Sequence, residues 1–305
     1  MLDQLKIQNL TNIMTWVLTK HEITKAELVQ LSGLSNTTVS DSINSLLKKN
    51  LVKASGMKNS IGGRRAKIFR LNPSYGFFLG IDLSEKYLKL CVTDCENKSL
   101  DFSTIILNKQ EPVIEILIKE IDRIKNKYQN LLGIGIGIEG SIDIKEQVVI
   151  NAPIYNWEEV HLKEIIERHF LVFTLVDHRT NGATLAEGFF GDVKGCPNYL
   201  CLFESSPTKL GVVLDSELCR GKENLFGKLE SLEFFLNHIN EFSNLFNSEM
   251  ILIKYKKNDF FQKLENQKKS FPKNVQIKQE EESLLVKGMA LLAQKSWFRS
   301  IYFIM

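Results

Sequence analysis

The stretch from Thr24 to Leu47 constrains this 305-residue chain more than any other. Thr24-Lys25-Ala26-Glu27 has the form of a capping box, in which the Thr24 hydroxyl accepts from the backbone at Glu27 and the Glu27 carboxylate reaches back. It predicts a short helix with Ala26, Leu28, Val29 and Leu31 turned inward. Ser32-Gly33-Leu34-Ser35 follows: Gly33 gives the permissive backbone of a tight turn, Leu34 pins the turn to a core, and Ser35 is a good N-cap. The next helix carries Val39, Ile43, Leu46 and Leu47 on one face, and an earlier one repeats Leu10, Ile13, Met14, Val17 and Leu18 at helical spacing. Two capped helices around a glycine turn make a helix-turn-helix. Its second helix sets Asn36, Thr37, Thr38, Ser40 and Asp41 opposite the apolar face.

Leu51-Val52-Lys53 and Ile68-Phe69-Arg70-Leu71 read as two strands with Lys58, Gly62, Gly63, Arg64, Arg65 and Lys67 between them. A glycine-rich basic wing suits phosphate or minor-groove contact. Residues 1–71 hold 11 Lys and Arg against 4 Asp and Glu, a local net of +7, which leaves −4 for the rest of a chain whose total is +3. A basic head on a mildly acidic body points to double-stranded DNA as partner. The expected contacts are Lys25, Ser35, Asn36, Thr37, Thr38, Ser40, Asp41, Arg64, Arg65 and Lys67. Threonine methyls meet thymine methyls, Asn36 reads adenine, and Asp41 accepts from cytosine or orients a Lys or Arg.

Beyond Gly76 the pattern alternates. Strands are expected at 77–82, 87–93, 100–107, 132–138, 172–176, 199–203, 211–214 and 250–253. Helices are expected at 112–128, 181–190, after 253, and from about 281 to the end. This is an α/β architecture with two lobes. No run of 18 uncharged apolar residues occurs, so no membrane partner is expected. The first residues lack the pattern of a secretory signal, and a reducing cytoplasm is expected. Cys91, Cys95, Cys196, Cys201 and Cys219 are odd in number and include no CxxC pair, so free thiols are expected, with Cys91 and Cys95 packed on one face of a strand rather than holding a metal. Neither a metal nor a cofactor is expected.

Thr24 to Leu83 resembles the N-terminus of ROK-family repressors (repressor, open reading frame, kinase). The pieces that carry this are Leu34-Ser35-Asn36-Thr37-Thr38-Val39-Ser40, Gly62-Gly63-Arg64-Arg65, Leu71-Asn72-Pro73 and Leu79-Gly80-Ile81-Asp82-Leu83. The resemblance continues, weakening, almost to the C-terminus. It implies a winged helix-turn-helix at 1–73 followed by a two-lobed actin-like ATPase (ribonuclease H-like) domain at 74–305. The first lobe spans about 74–180 and the second about 181–305, with the zinc subdomain missing. Family bodies bind sugars; some are sugar kinases and others belong to repressors.

A kinase of that type needs amides to cradle phosphate and a carboxylate base. The resemblance places the first glycine-rich loop at Leu83-Ser84-Glu85-Lys86, which has no glycine. It places the base at Arg179, within Asp177-His178-Arg179-Thr180-Asn181, and an arginine cannot act as base at neutral pH. The second phosphate loop falls on Ser205-Ser206-Pro207-Thr208-Lys209, where Pro207 removes an amide donor. The sugar-contacting glutamate becomes Lys228 and the zinc-binding histidine becomes Ser231. Asn156, Asn181 and Glu187 remain as candidates for binding a small carbohydrate-like effector. Asn181 reads equally as a helix N-cap, Glu187 as a solvated helix residue, and His178 with Arg179 as a new anion pocket. The expectation is a DNA-binding regulator, a repressor of carbohydrate-related genes, with a non-enzymatic body that dimerises so that two winged helices meet two half-sites. The alternatives are a sugar kinase with a fused DNA-binding head and a protein-interaction regulator without ligand sensing.

Overall fold

The computed structural model describes residues 2–58, 65–108, 112–204, 209–221, 227, 229, 231–256 and 258–300. Gly62, Gly63 and Arg64 of the wing, the Ser205–Thr208 stretch, Lys228 and the last five residues lie outside these.

The head comprises α1 (Leu2–Lys20), β1 (Ile23–Thr24), α2 (Lys25–Ser32), α3 (Asn36–Lys48), β2 (Val52–Lys58) and β3 (Ala66–Leu71). The capping box forms: Thr24 Oγ1 accepts from Glu27 N at 3.3 Å, and Glu27 Oε2 accepts from Thr24 N at 2.8 Å. Gly33 ends α2 with φ 69°, and Ser35 Oγ accepts from Thr38 N at 3.1 Å. The inward face of α2 is narrower than expected. Leu28 is buried and Val29 partly so, but Ala26 and Leu31 are exposed. At about 100° per residue Ala26 lies about 160° from Leu28, and eight residues cannot wrap the core from both sides.

Strand β1 has no signal in the hydrophobic pattern. It pairs with β3 (Ile23↔Phe69), making the sheet order β1-β3-β2. β2 runs to Lys58, further than expected, where Lys58 Nζ meets Glu27 Oε1 at 2.7 Å and ties the wing to α2. The Lys58 hydrogen bond first, then the Thr24 backbone hydrogen bond, hold the Glu27 carboxyl down at about 2. This stabilisation is fully present above the ordinary carboxyl value of 4.5 and is lost as pH falls through about 2. Glu27→Gln keeps the capping geometry, which an amide also supports, and loses only the charge of a largely exposed pair with Lys58, so it is expected to lower stability by about 0.5 kcal/mol at neutral pH. Denaturant unfolding across pH should show the gap to the parent closing near pH 2.

The body contains two five-stranded sheets of the same order and polarity. The first lobe supplies β4 (Phe77–Leu83), β5 (Tyr87–Asp94), β6 (Ser99–Ile106), α4 (Val113–Lys127), β7 (Leu131–Ile138), β8 (Ser141–Asp143), β9 (Val148–Ala152), β10 (Trp157–Val160), α5 (Leu162–Phe170), β11 (Phe173–His178) and α6 (Arg179–Phe190). The second supplies β12 (Tyr199–Phe203), β13 (Leu210–Leu214), β14 (Glu217–Leu218), α7 (Leu232–Asn237), α8 (Ile239–Leu245), β15 (Met250–Tyr255), α9 (Asn258–Gln267), β16 (Val275–Gln279) and α10 (Glu282–Ser300). The orders are β6-β5-β4-β7-β11 and β14-β13-β12-β15-β16. In each, the first three strands run antiparallel and the last two run parallel to the first. This repeated topology is the two-lobed α/β arrangement the alternation predicted. The small β10-β9-β8 sheet, α5, α7, α8 and β16 have no counterpart in those periodicities. Cys95 lies past the end of β5 rather than on its face, and all five thiols are free.

α6 and α10 cross between the sheets: α6, which leaves the first sheet, packs on β13 and β12, while α10 packs on β4, β7 and β5. The crossing is too close for side chains. A Cβ on Gly288 would lie 2.0 Å from the Gly182 carbonyl, and one on Gly135 would lie 2.1 Å from the Met289 carbonyl. The far end of α10 seats the head: Ala290, Ala293, Trp297 and Phe298 join Phe78 and the buried residues of α1, α2 and α3 in one apolar cluster. Arg70 of the wing adds an ion pair to Glu96 at 3.3 Å.

Candidate functional site

Two surfaces merit a functional reading. The first lies on the head. Ser35, Asn36, Thr37 and Asp41 are exposed at the start of α3, and Thr38 and Ser40 are half-buried. Three of these hydroxyls are engaged by the helix itself. Ser35 Oγ caps it and meets Thr38 Oγ1 at 2.9 Å, and Ser40 Oγ donates to the Asn36 carbonyl at 2.7 Å. Asn36, Thr37 and Asp41 thus carry the outward-facing polar groups. A groove of about 590 Å³ runs between α2, the start of α3 and β3, and Lys25, Asn36 and Lys67 line it together. Arg65 is exposed at the start of the return strand. Lys58, by contrast, has its charge matched by Glu27.

The second surface is the cleft between the lobes. Arg179 Nε and Nη2 donate to Asp82 Oδ1 and Oδ2 at 2.9 and 2.8 Å, a bidentate pair across the cleft floor. Asp82 is 2% exposed. Burial works against the charge on Arg179, but Asp82 prevails and the guanidinium is held above its usual range. Glu139 Oε2 makes a longer ion pair with Arg179 Nη1 at 3.8 Å. His178 caps α6, its Nδ1 accepting from Thr180 N at 3.2 Å, and burial, with repulsion from Lys209 and Arg179, lowers its pKa to about 3. A neutral histidine and an arginine already matched by a carboxylate do not make the anion pocket that their sequence allowed. The cavity beside them, with Glu139, Glu204, Lys256 and Glu280 on its walls, has about 20 Å³, room for little more than one water.

Two local readings in α6 are corrected. Asn181 does not cap the helix. His178 does, and Asn181 sits buried in the first turn, its Nδ2 donating to Asp177 Oδ1 at 2.7 Å. Glu187 is not solvated: it is 2% exposed and its Oε1 lies 2.7 Å from Lys254 Nζ, which also meets Asp192 Oδ2 at 2.8 Å. Burial on Glu187 favours its neutral form. Burial also opposes the charge on Lys254, but its hydrogen bonds to Asp192 and Glu187 outweigh this and raise its pKa. Asn156 is exposed in a left-handed turn at φ 55°. The structure thus does not bring Asn156, Asn181 and Glu187 together around that cavity.

Residues 78–229 match the ROK family. Over 233 residues the chain is 30% identical to the xylose repressor of Bacillus spizizenii, covering 72% of this chain and 59% of that protein. The chain belongs to the ROK family. It spans about three fifths of the length of the curated relatives it first matches. Among solved structures, it resembles a ROK family transcriptional regulator described as a homologue of Escherichia coli Mlc, with TM-score 0.78, 17% identity and 98% of each chain covered. It also resembles a ROK glucokinase from Streptomyces griseus solved with glucose and an ATP analogue, with TM-score 0.60, 14% identity, 72% of this chain and 100% of that one. These likenesses bear out the winged, actin-like fold expected from the ROK resemblance.

In this ROK chain the Asp82–Arg179 pair, the Lys254 cluster and Arg220, whose Nε meets the fully buried Asp177 at 2.9 Å, were not legible as partners. Arg179 was singled out only as a missing base. The one available signal was the coexistence of a retained Asp82 with an arginine at the base position, two opposite charges assigned to the same cleft.

Proposed function

We propose that this ROK protein is a DNA-binding transcriptional repressor of carbohydrate-related genes and that its body carries out no phosphoryl transfer. One observation carries the reading: Lys25, Asn36 and Lys67, from three elements, line one groove beside the exposed start of α3. A helix N-terminus with short polar side chains enters a major groove, and flanking lysines meet the phosphates. Residues 1–73 act as the DNA-binding unit, with Ser35, Thr37, Thr38, Ser40, Asp41, Arg64 and Arg65 completing the contact set, and residues 74–305 act as the cytoplasmic, dimer-forming body. The repressor names of its relatives support the same reading. The absence of catalysis is supported by Arg179, which the ROK resemblance places at the base position and which pairs with Asp82. Of the three expected effector contacts only Asn156 is exposed; Asn181 is held by Asp177 and Glu187 by Lys254, so a carbohydrate-like effector would meet Asn156 alone among them.

Selection of bound sequences from a random duplex pool tests this. The expected product is a two-fold symmetric site. The Lys25→Ala, Lys67→Ala double variant should flatten the dependence of log K on log salt by about 2, because each phosphate that is no longer neutralised takes close to one unit off the slope. Asn36→Ala should relax one base position at a cost of about 1–3 kcal/mol. If no sequence is enriched, or the lysine changes leave the slope untouched, the reading is wrong.

A further inference from the structure

On the far side of α6 from the cleft lies a cavity of about 210 Å³ that DNA binding and the cleft leave without a role. Ile144, Leu175, Leu185, Leu218 and Leu292 give it apolar walls. Its ionisable groups are Asp177, Glu217, Arg220, Lys295 and Arg299. Arg220 pairs with Asp177 at 2.9 Å, and Arg299 donates to both Glu217 oxygens at 2.7 and 2.9 Å. Lys295 is the odd cation. Its amine has no hydrogen-bond or ion-pair partner among the described residues, although it is only partly exposed. Burial, opposed by Glu217 and reinforced by Arg299 and Arg220, lowers its pKa from the ordinary lysine value. Facing a cavity large enough for several waters, this ammonium is hydrated when the site is empty, and an anion that enters can replace that water with a charge-assisted hydrogen bond.

We infer that this cavity is a binding site for a small organic monocarboxylate, with Lys295 as its principal counter-charge. The charge count selects the class. With every group ionised, three cations face two carboxylates, and one further negative charge neutralises the set. A dianionic phosphate monoester would overcompensate it. The leucine and isoleucine walls favour an aliphatic or aromatic body over a polyhydroxylated one.

The site also touches the seat of the head. Lys295, Ser296 and Arg299 share the last turns of α10 with Trp297 and Phe298, which pack in the cluster that holds the DNA-binding unit. Occupancy would therefore bear on head placement, a consequence that rests on the DNA-binding reading. The binding site does not rest on it.

The test is calorimetric titration of the full chain, without DNA, at constant ionic strength. The probes are butyrate, benzoate and pyruvate, with inorganic phosphate, chloride and 1-butanol for comparison. At least one carboxylate should saturate one site per chain at millimolar concentration, more tightly than phosphate, with no saturation by chloride or butanol. Lys295→Met should weaken it about tenfold or more, as loss of a charge-assisted hydrogen bond does, while Lys295→Arg stays within a few-fold. Lys295→Met should also leave the melting temperature of the free protein equal or higher, because it relieves repulsion from Arg299 and Arg220. If that variant does not fold, Arg299→Gln takes its place under the same criterion. No saturable carboxylate, tighter phosphate, or binding indifferent to these substitutions would each overturn the assignment. Since DNA is absent, a negative outcome leaves the DNA-binding reading standing, and failed sequence selection leaves this site standing.

Discussion

Arg179→Ala should lower the free energy of unfolding by about 3–5 kcal/mol, the cost of stranding one member of a buried ion pair. The residue left behind is Asp82, 2% exposed and held by both guanidinium donors at 2.8 and 2.9 Å. Water reaches it poorly, because the cavity alongside holds little more than one molecule. Adding Asp82→Asn to the Arg179→Ala chain should recover part of the loss, since a neutral amide is cheaper to bury than a carboxylate. Arg179→Lys should fall between, because a point charge cannot satisfy both oxygens as the planar fork does. Urea unfolding at neutral pH measures all of these. A loss below about 1 kcal/mol for Arg179→Ala, the size seen for exposed pairs, would mean that Asp82 is not desolvated and that the cleft opens to solvent.

A second large effect is expected at Lys254. It is 3% exposed and lies between Glu187 and Asp192 at 2.7 and 2.8 Å. Lys254→Met keeps most of the volume and removes the charge, leaving Glu187 buried, so a loss of about 3–5 kcal/mol is expected at neutral pH. Its pH dependence is distinctive. Without the ammonium, burial and the charge of Asp192 act on Glu187 against only the Asp192 backbone hydrogen bond, and its pKa in the folded state rises further above the unfolded value. Stability from a raised carboxyl is fully present below the unfolded pKa and is lost as pH rises through the folded one. The variant should therefore be nearest to the parent in mild acid and furthest from it above neutrality. Glu187→Gln paired with Lys254→Met should cost less than the sum of the single changes, as coupled partners do. Simple additivity would contradict the direct pairing.

The head was readable from the sequence because its determinants are local. The capping box joins Thr24 to Glu27, the N-cap joins Ser35 to Thr38, and Gly33 needs only its own backbone freedom. Each device acts within four residues, so spacing alone reports it. The positions of the body's strands were partly readable for the same reason: β4, β5, β7 and β12 are short, mostly apolar runs, almost wholly buried. The short strand β1 was not, because two residues carry no period and pair only through β3.

The body's polar residues lay beyond such reasoning. α6 is nearly continuously buried from Thr180 to Glu187, yet its sequence mixes Thr, Asn, Gly, Ala and Glu, which in an isolated helix looks like a solvated face. The packing of α6 against α10 and the second sheet decides otherwise, and it forces each buried polar group to find a partner. Those partners come from afar: Asp82 is 97 positions from Arg179, and Asp192 is 62 from Lys254. By itself, then, the sequence determined the winged helix-turn-helix, its caps and its basic surface, along with the alternation that builds two lobes. Only the tertiary structure decided that Arg179 neutralises Asp82, that Glu187 is an ion-pair partner rather than a surface residue, and that Lys295 faces a cavity without a partner among the described residues. The physical reason is range: capping and periodicity act along the chain, whereas desolvation depends on everything that closes around a group.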